Sequence, residues 1–247
     1  MKYILASIRF ILLLLTTFSI YFAWWIISFI IPNKSLWRQV CFRLWARSFS
    51  RIIGMKIEVI GSPPKPPFFL VSNHLSYVDI PLIRSVVDGV FVAKSEIREW
   101  FLIGRIVADM ETVFIDRQNR RDIPQAGEKI LEKLDAGEGV IVFPEGTSTK
   151  GEEVLRFKSS LLEFPAKTDF PVHYMAISYR TPNNEPPAHT ICWWGDVTLI
   201  AHMWKLLQIP HFEAILIFGD EAIQHSDRKE LAEILWKKVS DKFLPIL

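Results

Sequence analysis

The residue types best suited to chemistry sit together in Ser72-Asn73-His74-Leu75-Ser76-Tyr77-Val78-Asp79. An imidazole followed five residues later by a carboxylate makes a base with its orienter. The ring takes a proton, and the carboxylate fixes the tautomer and stabilises the imidazolium. The plain alternative is a structural histidine, with Ser76 or Asp79 serving as a helix cap. Two further segments end in polar residues. Thr112-Val113-Phe114-Ile115-Asp116-Arg117 closes on an arginine whose planar fork suits a phosphate or carboxylate. A surface pair of Arg117 with Asp116 or Asp122 is the competing explanation. Val140-Ile141-Val142-Phe143-Pro144-Glu145-Gly146-Thr147 runs into a tight turn. There the N–H groups of Gly146 and Thr147 are placed to face an anion or oxyanion, and Glu145 to accept from a substrate hydroxyl. An ordinary strand-to-loop turn uses the same residue types.

Positioning these residues requires a sheet. Pro67-Phe68-Phe69-Leu70-Val71 reads as a buried strand delivering His74, and Ile80-Pro81-Leu82-Ile83 as the first turn of the helix that follows. Strands are expected at 56–60, 67–72, 90–93, 112–115, 139–143, 171–178, 190–194 and 213–218. Helices are expected at 80–87, 96–108, 122–136, 157–167, 198–207 and 227–243. Their alternation predicts an α/β fold, a largely parallel or mixed sheet covered by helices. An open sheet of this kind presents its strand ends to a ligand.

Ahead of that body lies a different composition. Phe10 to Ile31 is uncharged, long enough as a helix to cross a bilayer, which takes about 20 residues. It is too long for a signal-peptide core and has no small-residue cleavage site after it, so it is expected to be retained. No Asp or Glu precedes Glu58, so the chain through Ile57 carries +8 and the rest −6. A basic, apolar end on an acidic body points to a membrane and away from nucleic acid. Arg43, Arg47 and Arg51 recur every four residues, so 35–52 is expected to be an amphipathic helix on anionic headgroups. The basic residues after the apolar run place the body on the cytoplasmic side of the inner membrane. The predicted division is an anchor with interfacial helix, 1–52, and a catalytic domain, 53–247. Cys41 and Cys192 fit free thiols in a reducing compartment. His173, His189, His211 and His225 have no partners at metal-ligand spacing.

Taken in order, these segments resemble the glycerolipid (lysophosphatidic acid type) acyltransferase family. His74-x4-Asp79 is similar to its first motif, Phe114-Ile115-Asp116-Arg117 to its second, Phe143-Pro144-Glu145-Gly146-Thr147 to its third, and Phe170-Pro171-Val172 more weakly to its fourth. Ala93-Lys94-Ser95-Glu96 and Phe157-Lys158 match its intervening stretches. The resemblance implies acyl transfer from a thioester, acyl-CoA or acyl carrier protein, to a lysolipid hydroxyl, with no bound cofactor or metal. His74 would be the general base and Asp79 its orienter. Arg117, helped by Lys94, would hold the acceptor headgroup, and Glu145, Gly146 and Thr147 the glycerol part or the tetrahedral intermediate. The implied product is phosphatidic acid from 1-acylglycerol 3-phosphate. One departure matters: the family's third motif continues with Arg where this chain has Ser148. The segments Trp193-Trp194-Gly195-Asp196 and His202-Met203-Trp204 resemble a bacterial branch that includes lyso-ornithine lipid acyltransferases, making a phosphate-free acceptor the alternative. Read from the residues alone, Trp193 and Trp194 pack in the core, and His202 caps a helix or faces solvent. A non-catalytic lipid-binding protein is the alternative of another class.

Overall fold

The computed structural model describes residues 1–116 and 122–246. Arg117, the expected headgroup fork, lies outside the described residues. Among the described residues, seven strands form one sheet: β1 (Met55–Ile60), β2 (Phe68–Ser72), β3 (Val90–Lys94), β4 (Val113–Ile115), β5 (Gly139–Val142), β6 (Val172–Arg180) and β7 (Phe212–Phe218), in the order β1-β7-β6-β2-β5-β3-β4. β2 lies between β5 and β6, parallel to both, and β5, β3 and β4 continue in parallel. β7 runs antiparallel to β6, and β1 follows β7 in parallel. The sheet is therefore mixed. Every residue of β2 and β5 is buried, which is why both read as unbroken apolar runs, the pattern of strands covered on two faces.

The covering helices are α1 (Lys2–Ile27), α2 (Lys34–Ile52), α3 (Asp79–Arg84), α4 (Ile103–Asp109), α5 (Asp122–Asp135), α6 (Glu163–Thr168), α7 (Leu199–Leu206) and α8 (Arg228–Lys242). Their starts follow local chemistry. Asn33 caps α2 by accepting from Leu36 N–H, and Asp227 caps α8 by accepting from Lys229 and Glu230 N–H. α1 is long and apolar enough to cross a membrane, and little of its surface is buried.

Several expectations give way. No strand forms at 190–194. A short 3₁₀ turn, Ala188–Thr190, stands there, and Trp193 sends its backbone N–H to Leu75 O (2.8 Å) instead of into a ladder. The helix expected at 96–108 splits into a 3₁₀ turn, Ser95–Glu99, and α4, because Leu102 adopts a positive φ of 58°. The one expected at 157–167 splits likewise into Ser159–Leu162 and α6. α2 meets only in part the expectation that its arginines face outward. Arg38 is buried against Glu138 (2.5 Å), Arg43 pairs with Asp88, and Arg47 donates to Ser85 O (3.3 Å). The outward stripe is Leu36, Val40 and Leu44, with Arg47 and Arg51 exposed further along. The inward charges have partners in the body, and water or lipid has none so well placed.

Candidate active site

β2 stops at Ser72 because Asn73 takes over its pairing. The buried Asn73 amide donates to Ile177 O (2.9 Å) and accepts from Ile177 N–H (2.7 Å), imitating a strand bond to β6. The chain then turns, and Asp79 begins α3. The buried Asp79 Oδ2 accepts from the N–H groups of Leu75 (2.7 Å) and Ser76 (3.0 Å) and lies 2.7 Å from His74 Nδ1. Its Oδ1 accepts from Tyr179 O–H (2.5 Å), on β6. Asp79 Oδ2 accepts from both backbone N–H groups, and the matching arrangement has His74 Nδ1–H as its third donor, which leaves Nε2 as the nitrogen open to a reactant. The imidazole stays partly accessible, with its side chain 21% exposed. One ring face lies flat on Phe143, with centroids 4.1 Å apart and planes at 16°.

The backbone of His74 is stapled from both sides. Its N–H donates to Glu145 Oε1 (2.6 Å), and its carbonyl accepts from Thr149 N–H (3.0 Å). Glu145 Oε2 accepts from Leu155 N–H (2.9 Å). Glu145 is thus turned inward, joining the loop after β2 to the long segment after β5, and does not aim at a ligand. Burial pushes its carboxyl up to about 8, against the pull of the two N–H bonds and with a smaller push from Asp79. Gly146 has φ 78°, which only glycine adopts readily, and its N–H closes the turn on Phe143 O (3.2 Å). Of the two N–H groups expected to face an anion, one is therefore used within the turn. Among the described residues Thr147 N–H has no acceptor, and Thr147 is exposed. Lys94 is exposed at the end of β3. Parallel pairing puts His74, Glu145 and Lys94 at one sheet edge, where β2, β5 and β3 finish.

A second layer went unread in the sequence. Tyr77 O–H donates to His202 Nδ1 (3.1 Å), and His202 Nε2 donates to Cys192 O (2.9 Å). His202 is therefore buried, and burial lowers its pKa. It neither caps a helix nor faces solvent. Trp193 is half-buried, edge-on to Tyr77, while Trp194 is 45% exposed and not in the core. Ser148 Oγ donates to Trp193 O. Tyr179 is the other site residue the sequence did not reveal. Its contact is 100 positions away, and no local pattern marks it.

The acyltransferase family model matches residues 56–178, from β1 into β6. A lyso-ornithine lipid O-acyltransferase from Rhizobium meliloti is 31% identical over 212 residues, covering 80% of this chain and 72% of that one. A 1-acyl-sn-glycerol-3-phosphate acyltransferase from Neisseria meningitidis is 31% identical over 155 residues, covering 62% and 60%. The crystal structure of the 1-acyl-sn-glycerophosphate (LPA) acyltransferase PlsC from Thermotoga maritima superposes with a TM-score of 0.64 at 25% identity, over 94% of this chain and 97% of that one. A seven-stranded mixed sheet with this family match defines an acyltransferase. The chain belongs to the lysophosphatidic acid and lysolipid acyltransferase family.

Proposed function

We propose that the protein transfers an acyl chain from a thioester, acyl-CoA or acyl carrier protein, to the hydroxyl of a lysolipid, with His74 as general base. The observation that carries this reading is the Asp79–His74 pair, 2.7 Å apart, with Nε2 left for a reactant. The acceptor hydroxyl gives its proton to Nε2 as its oxygen attacks the thioester carbonyl. Collapse of the tetrahedral intermediate breaks the C–S bond, and the imidazolium returns the proton to the leaving thiolate. The enzyme forms no covalent intermediate; holding both reactants together lowers the barrier. Thr147 N–H is the donor nearest in kind to an oxyanion contact.

For the acceptor, the sequence places 1-acylglycerol 3-phosphate first. Two observations move the proposal to a phosphate-free lysolipid of the lyso-ornithine type. Ser148 stands where an arginine would reach a phosphate, and its hydroxyl is committed to Trp193 O. The lyso-ornithine relative aligns over 80% of this chain, against 62% for the glycerol-phosphate relative. An acceptor panel with purified enzyme decides: turnover of lyso-ornithine lipid above that of 1-acylglycerol 3-phosphate is expected, and the reverse order overturns this choice.

Contacts of α1 with the body support a membrane placement. Ala6 and Leu13 are buried, and Arg9 donates to the carbonyls of Leu207 (3.2 Å), Ile209 (2.5 Å) and Pro210 (2.7 Å). Further along, Trp45 donates to Thr17 Oγ1 (3.0 Å) and Tyr21 to Asp109 (2.5 Å). A helix crossing a bilayer would carry those body residues into hydrocarbon, where polar groups are costly. These contacts support the reading that α1 lies along one leaflet of the inner membrane, on its cytoplasmic side. Labelling from the periplasmic face should miss its whole length.

A further inference from the structure

Between β3 and α4 the chain makes a tight, outward turn. Trp100, Phe101, Leu102 and Ile103 are exposed by 36, 87, 50 and 42%. The turn is held rigidly. Leu102 sits at φ 58°, Gly104 N–H donates to Trp100 O (2.7 Å), and a Cβ at Gly104 would lie 2.1 Å from Arg98 O. A strained backbone that presents an aromatic ring outward needs a reason, since strain persists where surroundings and role maintain it.

The place of the turn supplies one. Trp100 meets Trp193 edge-on at 6.4 Å, and Trp193 donates to the carbonyl of Leu75, next to His74. The turn therefore stands at the rim of the site. On its other side, Leu102 and Ile106 line a groove of about 520 Å³ with Phe18 and Phe22 of α1. The groove, lined also by Ser19, Tyr21 and Arg105, sets exposed apolar residues of α1 beside the turn. The charges at its base are mixed, with Lys94, Arg98 and Arg105 against Glu96 and Glu99. That mixture does not suit an acidic protein partner, which needs a basic surface. It suits apolar insertion with charges left at headgroup level.

We infer that the turn Trp100–Ile103 is a second membrane-inserting element, seating the mouth of the site in the same lipid leaflet as α1. The inference rests on the lysolipid reading, in which acceptor and product stay in lipid. It assigns the turn the task of holding the mouth at the depth where an acceptor hydroxyl lies.

The test uses full-length protein on phosphatidylcholine vesicles. Cys41 and Cys192 are buried, so Phe101→Cys takes an environment-sensitive fluorophore at that position. Its emission should shift to the blue on vesicles and be quenched by brominated acyl chains. Phe101→Asp should still float with vesicles through α1. It should lose about tenfold in transfer to a vesicle-embedded acceptor, with transfer to a short-chain acceptor, monomeric in water, unchanged. An emission indifferent to vesicles, or one that responds only to acyl carrier protein, overturns the inference. So does equal loss on both acceptors, which marks a structural role. If the parent protein transfers to neither acceptor, the functional reading fails, and the fluorophore still decides whether the turn inserts.

Discussion

Asp79 uses its two oxygens unequally. Oδ2 holds the imidazole and two backbone N–H groups, and among the described residues Oδ1 holds Tyr179 alone. His74→Ala should cut transfer by about 10²- to 10⁴-fold, the range of a lost general base, and leave vesicle flotation intact. Tyr179→Phe removes one hydrogen bond to a charged group but leaves the backbone donors. It should lower kcat by about tenfold, with the acceptor KM unchanged; a raised KM with normal kcat would count against positioning. Which side chain pairs with which was legible here only where the spacing is short. His74 and Asp79 lie five apart and announce each other. Glu145 carries a family-like motif, yet its inward turn depends on backbone N–H groups at His74 and Leu155, which no side-chain pattern encodes. Tyr77 and His202 meet across 125 positions and gave no sign.

At the scale of elements, Glu145 ties the turn after β5 to the loop after β2, and its protonation is linked to folding. Its ordinary value is 4.5, and in the fold burial raises it to about 8. Between those values the folded chain keeps the proton that the unfolded chain has lost. Glu145 thus contributes stability that is greatest below about 4.5, falls as pH rises, and levels off above about 8. The difference, of parent relative to Glu145→Gln, should decline by an amount on the order of 3 kcal/mol by pH 7. Denaturant melts of both proteins across pH check this, and parallel curves would refute it. The clamp between α2 and the sheet is a second case. Arg38→Leu leaves the buried Glu138 without its arginine and should cost about 3–5 kcal/mol in the same melts. Elements were legible where one face or both are apolar throughout, as in β2 and β5. They were misread where a single residue breaks the pattern, as Leu102 does in the expected helix 96–108. Arg47 and Arg51 of α2 are exposed as expected, whereas Arg38 and Arg43 turn to the body, because their partners, Glu138 and Asp88, are remote in sequence.

At the scale of the whole molecule, the first helix is part of the structure that carries the site. Deleting residues 1–31 strips Arg9 from three carbonyls and uncovers the surface beneath Ala6 and Leu13. A truncated chain should therefore melt at lower denaturant than the intact protein, and an unchanged midpoint would show the helix to be a mere tether. The division into 1–52 and 53–247 marks a change in composition, yet Arg9 bonds across it. Sequence made the change in composition plain and left that bond hidden.

The reversal of chain direction at β7 and β1 has a geometric result. β6 ends at the reactive edge, so its antiparallel neighbour β7 starts there, and so does β1. The polypeptide thus enters the sheet from the side on which His74 lies, with Gly54 joining α2 to β1 and Gly54 O accepting from Phe212 N–H. Had β1 run parallel to β2, α2 would feed into the far edge of the sheet. Strand polarity thus brings the junction of α2 with β1, at Gly54, to the same side of the sheet as His74.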